Sequence, residues 1–158
     1  MIGNRFNTPI NLRKSNVPLI SIYGDDEARS FTKLIWSLIP GYDVRVTNPQ
    51  TIEELYNEAY GSAVVFVVVK DQLDVNVSVA EALSFSEGVV ADIIAITPDP
   101  DIRNRLHILS AKFDAIYNLS IIDGAEFRKI FLHKLKKGIV RLSARLQEDE
   151  YDTFLGFL

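Results

Sequence analysis

The sequence predicts an α/β fold: a doubly wound, five-stranded parallel sheet in the flavodoxin-like order 2-1-3-4-5, with an extended C-terminal helix. Three observations predict it. From Pro18 onward, short apolar runs alternate five times with stretches whose apolar residues recur at helical spacing. One run, Ala63 to Val69, is continuous and rich in β-branched residues, as a strand buried on both faces requires. The run from Tyr42 to Val46 instead alternates apolar with polar, as an edge strand does.

Each element has its own local reason. Leu19 to Tyr23 reads as the first strand, stopped by Gly24. Phe31, Leu34, Ile35 and Leu38 follow at the spacing of one helical face, and Pro40-Gly41 ends that helix. After the second strand, Asn48-Pro49 breaks the chain and Thr51 with Glu54 forms a capping box for a helix carrying Ile52, Leu55, Tyr56 and Ala59. The third strand leads to a helix marked by Val79, Ala82, Leu83 and Phe85, ending at Gly88. Ala91 to Ile96 is the fourth strand, stopped by Thr97-Pro98-Asp99-Pro100. A helix over Ile102, Leu106 and Leu109 and a short strand at Ala115 to Tyr117 follow. Asp123 and Glu126 cap the last helix, whose Phe127, Ile130 and Phe131 face inward.

Composition bounds the function. A chain of 158 residues with 47 % apolar side chains supports one core and not two ordinary domains. The formal charge of −4 disfavours direct nucleic-acid binding through bulk charge. Cysteine is absent, which removes disulfides, thiolate metal sites and cysteine nucleophiles, and suits a reducing cytoplasm. No apolar run approaches the ~18 residues a membrane helix needs, and residues 1–16 lack the apolar segment of a signal peptide. The expected organisation is an N-terminal arm over 1–17, a domain over 18–138, and a helical extension over 139–158 leading toward a further C-terminal domain.

Along the last helix and into that extension, Leu132, Leu135, Ile139, Leu142 and Leu146 are spaced 3, 4, 3 and 4 apart, a heptad seam. The same pattern fits a helix lying on its own domain. The expectation carried forward is a coiled-coil contact with a second copy.

In an open α/β sheet ligands bind beyond the carboxyl ends of the strands. Asp25, Asp26 and Glu27 follow the first strand; they suit either a helix cap or a Mg²⁺ site. Lys70, Asp71 and Asp74 follow the third strand, Thr97 ends the fourth, and Asn118, Leu119 and Ser120 follow the fifth. His107 and His133 read as solvent-facing, and Trp36 as a partly buried packing residue. No glycine-rich phosphate loop and no nucleophile elbow occurs.

The acid cluster after strand one, Thr97 ending Ile93-Ile94-Ala95-Ile96-Thr97, and the Phe113-Asp114-Ala115 entry to strand five together resemble a response-regulator receiver domain over residues 18–140. Such receivers hold Mg²⁺ with an acid pair, accept a phosphoryl group on an Asp ending strand three, and sense it through a strand-four hydroxyl and a strand-five Lys. The resemblance implies that Asp25, Asp26 and Glu27 are the metal candidates and Thr97 the switch hydroxyl. It places Val68 or Val69 at the acceptor position, leaving Asp71 as the carboxylate of a working receiver, and places Leu119 at the Lys position. Valine cannot be phosphorylated, and without the Lys the phosphoryl charge has no cationic partner.

The expectation is therefore a non-enzymatic, degenerate receiver. It would act through protein contacts, as a homodimer and toward a signalling partner or output domain. The resemblance assigns those contacts to the face comprising Arg103 to Ser110, Tyr117 and Phe127 to Lys137. The alternatives are a Mg²⁺-dependent receiver phosphorylated on Asp71 and a flavodoxin-like binder of a small anionic ligand.

Overall fold

The computed structural model describes residues 17–24, 28–69, 73–84, 86–97, 101, 113–120 and 122–155. Its strands are β1 (Leu19–Gly24), β2 (Arg45–Thr47), β3 (Ser62–Val68), β4 (Asp92–Thr97) and β5 (Ala115–Asn118). Its helices are α1 (Ala28–Leu38), α2 (Ile52–Ala59), α3 (Leu73–Ser84) and α4 (Gly124–Leu155). All strand pairs are parallel, in the order β2-β1-β3-β4-β5. The helix expected over Ile102 to Leu109 lies outside the described residues.

The central strand divides two cores by its alternation. Val64, Phe66 and Val68 pack with Phe31, Ile35, Phe127, Phe131 and Leu135 under α1 and α4. Val65, Val67 and Val69 pack with Leu55, Ala59, Val79 and Leu83 under α2 and α3. Every residue of β3 is buried, so the period of two is hidden in the sequence by apolar partners on both sides. β2 is the edge, as expected, but pairs only over Arg45–Thr47. Tyr42 is held in the preceding turn, its N–H donating to the Ile39 carbonyl at 3.0 Å.

The capping box of α2 forms with one change. The Thr51 hydroxyl accepts from the Glu54 N–H at 3.1 Å, whereas the Glu54 carboxylate accepts from the Gln50 N–H at 2.7 Å, one residue earlier than the usual partner. Asp123 caps α4 as predicted, accepting from the Glu126 N–H at 3.1 Å.

α4 shapes the domain. It runs against the strand direction across one face of the sheet. Near the strand ends Phe127 lies edge-on to Phe31 and Tyr117, and Phe131 meets Phe66 at 5.9 Å. Farther along, the helix backbone touches β3: a Cβ on Gly138 would lie 2.0 Å from the Ala63 carbonyl oxygen. The β1–β3 register shifts at this point, Leu19 facing Ser62 and Ile20 facing Val64, so Ala63 is the extra residue of a bulge. Ala63 and Val64 consequently join the same core, and the small alanine leaves the space that the helix enters.

Beyond this contact α4 is clamped by charge. Asp92, opening β4, accepts from the Lys134 ammonium at 2.8 Å and from the Arg141 guanidinium at 2.7 Å. The Arg145 guanidinium lies 3.7 Å over the Tyr60 ring and donates to the Tyr60 and Gly88 carbonyls. Burial pushes the Asp92 carboxyl up, but the two cations more than offset it and hold it below its ordinary value.

The expected coiled-coil seam is thus occupied from within. Leu135 and Leu142 are buried in the core, Leu132 and Ile139 pack against it, and Leu146 is half-buried. The 3-and-4 spacing arises because a straight helix on a flat sheet needs the same apolar stripe as a helix on a helix. The helix is unbroken across 138–139 and runs to Leu155.

Two stability predictions follow from these contacts. Gly138→Ala is expected to lower stability by about 1–3 kcal/mol through the clash with Ala63. Gly124→Ala, where the added methyl meets open space, is expected to change it by less than about 1 kcal/mol. Urea midpoints with an unchanged slope are the measurement. The Asp92 clamp is expected to contribute fully above the unfolded carboxyl value of about 3.9 and to weaken as pH falls through the lower folded value. Asp92→Asn should remove about 1–3 kcal/mol near neutrality and flatten that acid limb, read from denaturation across pH.

Candidate functional site

The carboxyl edge of the sheet is the place where the fold gathers strand-end residues. Register aligns Gly24, Val68 and Ile96 across β1, β3 and β4, and Thr97 with Asn118 across β4 and β5. Gly24 has φ +138°, and a Cβ there would meet the Val68 carbonyl oxygen at 2.1 Å, so only glycine lets β1 close against β3 here. Val68 and Val69 are fully buried, and the Val69 N–H donates to the Ile96 carbonyl at 2.8 Å. The end of β3 is therefore a sealed apolar plug, with no carboxylate in either residue.

Thr97 ends β4, where the sequence placed it, and is completely buried. Its carbonyl accepts from the Leu119 N–H at 3.0 Å. The side chain beside it on β5 is Asn118, 2 % exposed, and not Leu119. The strand-five position opposite the Thr is therefore polar where the sequence reading made it apolar. The strand expected at Ala115 to Tyr117 extends to Asn118, which the ladder sets opposite Thr97 before the turn.

Asn118 does two things. Its Oδ1 accepts from the Ser120 N–H at 2.9 Å and from the Ser120 hydroxyl at 2.6 Å, closing the turn after β5. Because a backbone N–H can only donate, this fixes Oδ1 as the acceptor and Nδ2 as the amide donor. Nδ2 is buried and has no hydrogen-bond partner among the described residues. A neutral donor thus stands beside Thr97 where the receiver resemblance implies a cation.

Asp25, Asp26, Glu27 and Asp71, the expected metal and acceptor carboxylates, lie outside the described residues, as do His107 and Arg103 to Ser110. Among the described residues there is no group of three His, Cys, Asp or Glu that could hold a metal ion. His133 is exposed, as expected.

A second concavity was not legible in the sequence. An open groove of about 940 Å³ lies between α1 and the β2–α2 loop, and Arg29, Lys33 and Trp36 line its helix side. Trp36, expected as a partly buried packing residue, is 54 % exposed and lines this groove. The groove's carboxamides are engaged within the protein. Asn48 Nδ2 donates to the Thr32 hydroxyl at 2.8 Å and to the Ile22 carbonyl at 3.4 Å, and Gln50 Nε2 donates to the Asn48 carbonyl at 2.9 Å. These bonds tie the loop to α1 and β1.

No protein-family model matches the chain, and no curated protein matches it. Several solved structures resemble it, among them the following two. One is a CpaE2 pilus assembly protein from Sinorhizobium meliloti 1021, 16 % identical with a TM-score of 0.47, the match covering 74 % of this chain and 98 % of that one. The other is a fusion carrying the trimeric coiled coil of yeast Spc42, residues 181–211. It is 14 % identical with a TM-score of 0.46, covering 87 % of this chain and 89 % of that one. Neither likeness bears on function. The five-stranded parallel sheet in flavodoxin-like order is the fold of this chain. Among the described residues no helix is long and apolar enough to cross a membrane.

Asn118→Ala is expected to lower stability by about 1–2 kcal/mol by removing the acceptor for both Ser120 groups. Ser120→Ala, which keeps the backbone bond, should cost less. Thermal denaturation of the two variants checks the order.

Proposed function

We propose that this domain is a receiver-like signalling module that works by protein contact and does not carry a phosphoryl group. The observation that carries the reading is the buried Val68-Val69 pair ending β3. An acyl phosphate needs a carboxylate nucleophile facing the crevice, and this strand end offers two aliphatic side chains packed to exclusion of water. A second support is Asn118, whose amide beside Thr97 is a neutral donor and cannot balance a phosphoryl dianion as a cation would.

On this reading the fold retains the receiver's sheet and its buried strand-four hydroxyl while the reaction itself is gone. The module needs no resident cofactor, and Mg²⁺ has no catalytic part. Its work is done on the outer surfaces, toward a second copy and a signalling partner or output domain, in a reducing compartment such as the cytoplasm. Changes at such a surface act by shifting populations between bound and free forms.

The test is an amide NMR titration with Mg²⁺ followed by beryllofluoride, a phosphoryl mimic. The amides of Thr97, Leu119 and Asn118 are expected to stay in place through both additions. Saturable movement of Thr97 and Asn118 with beryllofluoride, lost in Asp71→Asn, would establish a working acceptor at Asp71 and overturn the reading.

A further inference from the structure

The groove between α1 and the β2–α2 loop carries an ordered set of side chains. Arg29, Lys33 and Trp36 fall on one helical stripe, at i, i+4 and i+7. Measured from Trp36, Lys33 stands about 4.5 Å and Arg29 about 10.5 Å along the helix axis. All three are exposed, and neither cation has an ion-pair partner among the described residues. Among the described lining residues there is no carboxylate to balance them.

The opposite wall supplies acceptors. Asn48 Nδ2 donates to the Ile22 carbonyl and to the Thr32 hydroxyl, which itself donates to the Ala28 carbonyl at 2.7 Å. Gln50 Nε2 donates to the Asn48 carbonyl. A carbonyl can only accept, so these bonds fix which amide atom is nitrogen and which is oxygen. Asn48 Oδ1 and Gln50 Oε1 are left with no donor among the described residues. The groove thus offers two cations in line, an exposed indole and two acceptors. Its volume of about 940 Å³ is that of a small-molecule site, roughly 300–1,000 Å³.

We propose that this groove binds a nucleoside diphosphate, its base stacked on Trp36 and its phosphates held by Lys33 and Arg29. The order along the helix is the order of the ligand: ring, sugar, first phosphate, second phosphate. Every base presents a π-face on which an indole stacks. The Arg29 guanidinium meets phosphate oxygens as a fork, and Lys33 adds a point charge. Ribose hydroxyls and the exocyclic amine of a base are donors, which the Asn48 and Gln50 oxygens lack. An inorganic anion would satisfy the cations alone and leave the ring and both acceptors unused. The groove lies beside β1 and β2, whereas Asn118 belongs to β5 at the other edge of the sheet. The ligand is an exchangeable signal and not a resident cofactor. This inference goes beyond the reading of the domain as a contact module and does not rest on the Val68-Val69 plug.

Trp36 is the only tryptophan of the chain, so the site carries its own probe. Titrating ADP and GDP into the full chain is expected to quench its fluorescence saturably, with calorimetry giving the same affinity. In amide NMR the Trp36 indole and the Arg29 and Lys33 amides should move while Thr97 and Asn118 stay in place. Arg29→Glu with Lys33→Glu should weaken binding at least about tenfold, and so should Trp36→Leu, followed by calorimetry. Circular dichroism verifies that each variant is folded. The proposal is overturned if neither nucleotide binds at millimolar concentration, or if adenosine or pyrophosphate binds as tightly as ADP. It is equally overturned if the charge reversal leaves the affinity unchanged, if the shifts fall on Thr97 and Asn118, or if a single-stranded RNA or a glutamate-rich peptide binds more tightly than either nucleotide. The beryllofluoride titration is read at Thr97 and Asn118, so an empty groove leaves the contact-module reading standing and the two fail separately.

Discussion

The α4 backbone passes so close to β3 at Gly138 and Ala63 that no side chain fits between them, and much of the architecture depends on this contact. A helix normally rides above a sheet on a layer of side chains. Here the bulge at Ala63 and the missing side chain at Gly138 remove that layer at one point. The helix is thereby drawn down across the middle of the sheet, which lets Phe127 and Phe131 reach Phe31 and Phe66 at one end. At the other end it brings Arg141 and Arg145 within reach of Asp92 and Tyr60. A bulkier residue at either position would lift the helix and separate both sets of partners together.

The carboxyl edge of the sheet shows the opposite economy. Side chains that a chemical site would expose are used there to close the structure. Gly24 admits the Val68 carbonyl, Val69 bonds to β4, Thr97 is sealed, and Asn118 spends its oxygen on the turn to α4. Asn118 Oδ1 is held within the turn by Ser120, and its Nδ2, which meets no acceptor among the described residues, is a neutral donor.

Much of the fold was legible because it rests on short-range pattern. The β-branched run of β3, the capping pairs Thr51–Glu54 and Asp123–Glu126, and the turn residues at Pro40-Gly41 each state a local preference that the tertiary structure keeps. What was not legible arises from register and from distance. The heptad spacing of Leu132 to Leu146 is the same whether the stripe meets a sheet or another helix, and only the Gly138–Ala63 contact decides. Lys134 and Arg141 look like solvated flanks of a seam until Asp92, more than forty residues away, is placed between them. Asn118 was read as a residue after the strand because nothing local says that the ladder extends to it. The exposure of Trp36 follows from a groove built by two separate elements, which no window along the chain contains.

The position of α4 in the chain has a consequence for synthesis. The face of β3 bearing Val64, Phe66 and Val68 is covered by a helix whose last core residue is Leu142, more than seventy residues downstream. At roughly 5–20 residues per second, a ribosome leaves that face without its lid for several seconds after β3 has emerged. During that interval a seven-residue strand, apolar but for Ser62, with high β-propensity and no charge, is open to pairing with other nascent chains. α1, which lies earlier and buries Phe31 and Ile35 on the same face, is the element that shields it in the meantime. The order of elements along the chain thus limits how long the domain's most aggregation-prone segment goes unguarded.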